Sequence, residues 1–227
     1  MQLKNFKMNE LLKQKVILPI LILLFAGSVF AQELSETPAL DRLDSLLSGI
    51  DTLSSDVIQL IVESDGGVLE ESEIKMLLKK PDGFYWETLA PFPELIVTDG
   101  STLWNYQPDL EQVVIEDWDS SRSELAAQLL SGNVDSLSAD YTIRSVTDQD
   151  SEHQEFELTP LQSDNVYQRI SINFMSSELE SIYLSSRSGQ QTVWQFENVV
   201  RNQAIADAQF EFISPGNIEI IENDYSQ

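Results

Sequence analysis

The sequence predicts a mainly β fold carrying two amphipathic helices, and three observations predict it. From Leu53 to Ile221 short apolar stretches alternate with polar residues and are punctuated by turn formers such as Asp65-Gly66-Gly67, Ser163-Asp164-Asn165 and Ser188-Gly189. Asp99-Gly100 joins two apolar segments, as in a tight β-hairpin. Two segments, 37–50 and 121–131, follow a helical period instead. Strands at this spacing argue for a barrel or a sandwich. Two helices cannot cover such a sheet from outside, but they can fill or cap the concave side of a curved one.

The elements follow in order. Lys4, Lys7, Lys13 and Lys15 precede an apolar run from Val16 to Phe25, and Val29-Phe30-Ala31 offers small residues at the two positions a signal peptidase reads. Residues 1–31 are therefore expected to be a cleaved secretory signal, too short in apolar length for a membrane span. The leader is long for such a signal, and Met8 is the expected initiator. Residues 32–227 then suit one domain. Thr37-Pro38 opens a helix, with Thr as cap and Pro at the first helical position. Leu40, Leu43, Leu47 and Ile50 form its apolar face, flanked by Leu46. The period changes to two at Leu53, with Ile58, Leu60 and Val62 on one face. Ile74, Met76 and Leu78 alternate in the next strand, which Lys79-Lys80-Pro81 ends, and Phe84 and Trp86 share a face after it. Asp99-Gly100 and Pro108-Asp109 connect three further strands. Residues 121–131 (SRSELAAQLLS) form the second helix, with Leu125, Leu129 and Leu130 apolar and Gly132-Asn133 as its stop. Strands resume at 141–146, 155–158, 167–174, 179–184 and 192–199, and Phe210-Glu211-Phe212 and 218–221 close the domain.

Composition narrows the function. With no cysteine in the chain, disulfides, thiolate chemistry, cysteine metal sites and lipidation of an N-terminal cysteine are excluded. An exported chain without a lipidation cysteine is expected to be soluble, in the periplasm of a Gram-negative cell. The net charge is −25, and the basic leader leaves the remainder more acidic still. Such a chain is repelled by nucleic acid and by anionic membranes. The acidity reads either as a solubility device suited to a salty habitat or as steering toward a basic partner.

Catalytic signals are sparse. His153 is the single histidine and sits at a turn. G-x-S-x-G, H-E-x-x-H and P-loop patterns are missing, and no EF-hand spacing accompanies the acidic turns. Glu70, Glu71 and Glu73 cluster, as do Asp117 and Asp119; paired carboxylates can hydrolyse glycosides, but acidic pairs arise readily in a chain this acidic. No enzyme activity and no cofactor are expected.

One ordered set of residues resembles a known family. Lys79-Lys80-Pro81, Phe84-Tyr85-Trp86, Pro91, Ile96-Val97-Thr98-Asp99-Gly100, Leu103-Trp104-Asn105-Tyr106, Pro108 and Glu111-Gln112-Val113 resemble the outer-membrane lipoprotein carrier proteins, the LolA family. Leu129-Leu130-Ser131-Gly132-Asn133 resembles that family's central lid helix, and Phe210-Glu211-Phe212 with Pro215 and Gly216 its C-terminal strand pair. The likeness runs over roughly residues 36–222. It implies an unclosed, half-open antiparallel β-barrel of roughly eleven strands with helices in and over its mouth as a lid. It implies a monomeric periplasmic chaperone that accepts acylated lipoproteins from an inner-membrane ABC transporter, shields their acyl chains in a hydrophobic cavity and delivers them to an outer-membrane receptor, using no ATP itself. The expected lipid-binding residues are Leu40, Leu43, Leu47, Phe84, Trp86, Trp104, Leu125, Leu129 and Leu130, each of which also suits ordinary core packing.

Lys80 stands where the family places an arginine that ties lid to barrel. Lysine is a single-point donor where arginine offers a planar fork, so a latch at Lys80 is expected to be looser. Leu53 and Val57 replace the aromatics typical of the first strand, and Ala126-Ala127-Gln128 replace bulkier residues before the lid leucines. The rival readings are an acidic periplasmic hydrolase, a half-barrel envelope regulator, which would carry a second domain, and the outer-membrane receptor, which would itself be lipidated. A greasy interior rather than a polar cleft separates carrier from hydrolase.

Overall fold

The structure is a computed structural model in which residues 36–118, 125–130, 134–148 and 151–223 are described. The expected signal segment, the candidate initiator Met8, the start of the second helix and its Gly132-Asn133 stop lie outside the described residues. Helix α1 spans Glu36–Ser48. Strands β1 (Thr52–Val62), β2 (Val68–Lys79), β3 (Gly83–Ala90), β4 (Glu94–Thr98), β5 (Thr102–Gln107) and β6 (Gln112–Asp117) follow as a meander. After α2 (Leu125–Leu130) and α3 (Val134–Asp140) come β7 (Tyr141–Ser145), β8 (His153–Pro160), β9 (Tyr167–Met175), β10 (Glu178–Ser186) and β11 (Gln191–Arg201), then β12 (Glu219–Asn223).

The twelve strands among the described residues form one sheet in the order β12-β6-β5-β4-β3-β2-β1-β11-β10-β9-β8-β7. β1 joins the two meanders, pairing with β2 on one side and β11 on the other. β7 and β12 do not pair with each other, so the sheet stays open. It nonetheless curls. Between β3 and β11 lie β2 and β1, a flat separation of roughly 14 Å at strand spacing. Yet the Trp86 and Trp194 rings lie edge to face with centroids 5.4 Å apart.

The strand count is one above the sequence expectation, and one pairing departs from it: β12 runs parallel to β6. The cause is the path after β11. The chain crosses the outer face of β3–β6 before reaching the free edge, and so arrives running the same way as β6. Phe210-Glu211-Phe212 is accordingly not a strand. Residues Asp207–Phe210 form a 3-10 turn, Phe210 is buried, and the Phe212 ring lies 5.4 Å from that of Tyr106. Lys79 fixes this crossing by donating to the Ile205 carbonyl at 2.9 Å and pairing with Asp207. The second departure is α3. VDSLSAD offers Leu137 as a large buried anchor among low-propensity residues, so its sequence signal is weak.

Register assigns the two faces. Val57 opposes Ile74 and Phe196, Met76 opposes Trp86, and Trp86 opposes Ile96. On the other wing Phe156, Ile172, Ile182 and Trp194 form one cross-strand row. These side chains form one buried cluster with leucines of all three helices. Ile58, Leu60 and Val62 do share a face, but it is the face opposite Leu53 and Val57, whose side chains are fully buried.

The Asp99-Gly100 turn is set by side-chain capping. Asp99 Oδ1 accepts from Ser101 N–H (2.8 Å), the Ser101 hydroxyl (2.8 Å) and Thr102 N–H (2.9 Å). Gly100 has φ +91°, and a Cβ there would stand 2.8 Å from Asp82 Cβ. Gly100→Ala is therefore expected to destabilise the fold by about 1–3 kcal/mol, read as a lower denaturant midpoint at unchanged slope. Burial pushes the Asp99 carboxyl up, but the hydrogen bonds from Thr102 and Ser101 outweigh it and hold it below the usual carboxylate value. A depressed native value means the contribution is complete above the unfolded value and is lost as pH falls through the native one. The stability advantage of the wild type over Asp99→Asn should thus be present at neutral pH and shrink below about pH 4, as unfolding curves at stepped pH will report.

Candidate functional site

The concave side of the curled sheet is apolar, and the helices fill it. Leu43, Leu47 and Ile50 of α1 and its following turn, Leu129 and Leu130 of α2, and Leu137 of α3 are buried there against the sheet cluster. Leu40 is half-buried and packs on the same cluster. α1 lies against β7 and α3. Among the described residues α2 makes no comparably close backbone packing; it meets the cluster through Ala126, Leu129 and Leu130.

Polar contacts pin α1 at its C-terminal end and at its middle. At its C-terminus Lys80 Nζ donates to the Leu47 carbonyl at 2.8 Å, a carbonyl that also accepts from Ile50 N–H at 3.1 Å. Asn202 Nδ2 donates to the Gly49 carbonyl at 2.9 Å, and its Oδ1 accepts from Asp51 N–H at 2.8 Å. On the other side Arg42 donates to Ser145 Oγ and Gln154 Oε1, each at 3.0 Å, while its guanidinium lies 5.6 Å from the Phe156 ring centroid.

The sequence-predicted site residues separate into groups. Leu40, Leu43, Leu47, Phe84, Trp86, Leu129 and Leu130 come together inside the curl. Phe84 and Trp86 stack at 6.1 Å. The side chain of Leu125 lies outside the described residues. Trp104 pairs with Val97 and Ile115, in the row of Tyr85, and so stands on the outer face, opposite Trp86. Lys80 reaches α1 rather than the central helix. Residues that sequence reasoning missed include Trp194 and Phe196 of β11 and Phe156 and Phe174 of β8 and β9. Their signal was present as strict alternation, Trp194 with Phe196 and Phe156 with Leu158.

The acidic cluster of β2 divides between the two faces of its strand. Strand alternation puts Glu70 on the side of Ser72, whose hydroxyl it accepts at 2.9 Å, and Glu71 and Glu73 alternate with them. Asp119 lies outside the described residues. Among the described residues no group of three or more His, Asp and Glu side chains is placed to hold a metal ion. His153 is on the face of the sheet opposite the helices, in a polar groove of about 670 Å³ on the outer side of β8–β11 with Glu155, Arg169 and Glu197. Its neighbour Glu157 is held by Arg144 at 2.7 Å and faces Arg169 at 3.7 Å.

The sequence matches the family described as outer membrane lipoprotein carrier protein LolA over residues 48–213. It is 33% identical over 187 residues to the outer-membrane lipoprotein carrier protein of Chromohalobacter salexigens, covering 82% of this chain and 88% of that one. The protein of the same name from Hahella chejuensis is 32% identical over 191 residues, covering 84% and 91%. In fold the chain is similar to an uncharacterized conserved protein from Thermus thermophilus, with a TM-score of 0.54 at 14% identity, covering 83% of this chain and 99% of that one. Among the described residues no helix is long and apolar enough to cross a membrane.

Burial pushes the Lys80 amine below its ordinary value of 10.5, and the nearby Asp51 and Asp44 carboxylates oppose that shift. A lysine whose value falls on folding binds its proton less well in the folded state. Charged Lys80 thus costs stability at neutral pH, and the cost is relieved as pH rises through its lowered value. Lys80→Arg keeps its charge throughout. The wild type should gain stability relative to Lys80→Arg as pH climbs from neutrality toward 10.5, which paired thermal unfolding scans will measure.

Proposed function

The chain belongs to the LolA family, and from that premise we propose that it carries acylated lipoproteins, holding their acyl chains in the apolar interior now filled by its own helix leucines. The observation that carries this reading is the match between lining and plug: Trp86, Met76, Phe174 and Ile182 on the wall, Leu43, Leu129 and Leu130 on the helices, one cluster with apolar residues on both sides. Acyl chains need the same wall. The two occupancies are therefore alternatives.

The energetics suit a carrier. Each acyl methylene removed from water contributes about 0.8 kcal/mol, so a lipid-modified protein does not leave a membrane unaided. Displacing a plug leucine forfeits about 1.5–3 kcal/mol of its own burial. Cargo binding is thus weakened by the cost of unplugging, and onward transfer becomes feasible. α2, with the lesser backbone packing, is the part that moves; the looser Lys80 tether holds α1 in place. An empty carrier with the plug in place also avoids exposing a large apolar patch.

In full, the proposed route has cleavage of a signal peptide at residues 1–31, work in the periplasm as a monomer, receipt of cargo from an inner-membrane lipoprotein-releasing ABC transporter and delivery to an outer-membrane receptor, without nucleic acid or cofactor. The acidity of the chain, net −25 with the basic leader and more negative without it, keeps the carrier off anionic membranes while it does so.

The chain recovered from periplasmic extract should bring acylated N-terminal peptides into the mass spectrum, and its depletion should strand outer-membrane lipoproteins in the inner membrane. A chain that co-purifies with no acylated peptide, in cells whose lipoproteins still reach the outer membrane after depletion, contradicts the reading. Leu129→Ala weakens the plug, so affinity for a fluorescent triacylated peptide should rise by about tenfold or more while release to acceptor vesicles slows. A fall in affinity would count against displacement of the plug.

A further inference from the structure

A purely apolar interior grips any long chain, whether on a lipoprotein, a phospholipid or a free fatty acid. Among the described residues two unpaired polar atoms interrupt the interior. Asn105 Oδ1 and Trp118 Nε1 are buried and have no hydrogen-bond partner among the described residues. Buried polar groups are normally paired, and an unpaired one carries a desolvation penalty.

Their placement is fixed by register. Asn105 opposes Ile96, a member of the interior cluster, so its side chain is on the concave face. Trp118 follows Asp117 of β6, has the same strand parity as Val114, the partner of Asn105, and packs against the interior cluster. Trp118 N–H donates to the Ser101 carbonyl at 2.9 Å, which locates it four residues along β5 from Asn105, about 13 Å at strand rise. One orphan is an acceptor, the other a donor. The third such atom among the described residues, Arg201 Nε, belongs to a guanidinium that already donates to the Ser177 carbonyl at the end of β11.

We infer that Asn105 and Trp118 are the polar contacts for the linkage that joins acyl chains to a lipoprotein's N-terminal cysteine: Asn105 Oδ1 accepts the N–H of an amide-linked acyl group, and Trp118 Nε1–H donates to the carbonyl of a glyceryl ester. An acceptor and a donor on one wall match an amide N–H and an ester C=O in one ligand, and the two side chains and the linkage together bridge the interval. In the plugged state neither group has a partner among the described residues; cargo that pairs them regains what plain hydrocarbon cannot. The amide N–H, which phospholipids and free fatty acids lack, thereby distinguishes lipid attached to a protein from unattached chains of equal length. This rests on the carrier reading of the same interior.

The test uses the mature full-length chain, a synthetic triacylated cysteine peptide and its N-methyl-amide analogue, which keeps every acyl chain but loses the N–H. Affinities are read by displacement of a fluorescent fatty acid. The wild type should prefer the N–H peptide by about tenfold. Asn105→Leu should bind both peptides alike, at the weaker affinity, while displacing the fluorescent fatty acid with unchanged affinity and folding at least as stably. Trp118→Phe should lose a similar factor against the ester peptide and nothing against an ether-linked analogue. Equal binding of the two peptides by the wild type, or an equal loss for all ligands in the variants, overturns the inference and leaves the carrier reading intact. Failure of the wild type to bind any acylated ligand overturns the carrier reading itself.

Discussion

Everything in this structure depends on keeping the concave face of one curled sheet out of water. Strand alternation concentrates Met76, Trp86, Ile172, Phe174, Ile182 and Trp194 on that face, and the curl brings them toward one another without closing the barrel. An open apolar trough has to be covered. The helices supply that cover through leucines that have no other burial, and the same requirement lets any apolar cargo of suitable shape compete with them. On the proposed reading, stability and function draw on one surface.

The outer face is organised differently, and the contrast explains the division of labour. Over β3–β6 the crossing segment seals Val97, Val113 and Phe210 into a second small apolar layer, fixed by Lys79. Over β8–β11 the outer face is a polar groove. The half of the sheet with the added layer is thus braced from behind. Polar tethers from Lys80, Arg42 and Asn202 likewise fix α1. Among the described residues, α2 is held by the side-chain packing of Ala126, Leu129 and Leu130.

Much of this was legible in the sequence, for identifiable reasons. The 3.6-residue recurrence of Leu40, Leu43 and Leu47 reported α1 with its length, and Asp99-Gly100 reported the β4–β5 turn, because both signals are local. The face of Trp104 was missed because it depends on register. Thr98 pairs with Leu103 across the turn, which sets Trp104 against Val97 on the outside; grouping it with Trp86 by aromatic character alone ignores that parity. The parallel docking of β12 was invisible because it follows from a long excursion over the sheet. Short α3, seven residues with one leucine, offers little periodicity to read. Of the site, the lining was partly visible as hydrophobic pattern. The orphaned Asn105 and Trp118 atoms could emerge only from packing, since neither residue type is unusual in a strand.

The central claim is that cargo and α2 compete for one apolar wall. Amide hydrogen exchange across residues 125–130, with and without a bound triacylated peptide, measures this most directly. The account predicts that exchange in α2 accelerates on binding while β1, β2 and β11 keep their protection. Unchanged or deeper protection of α2 in the loaded protein would contradict it.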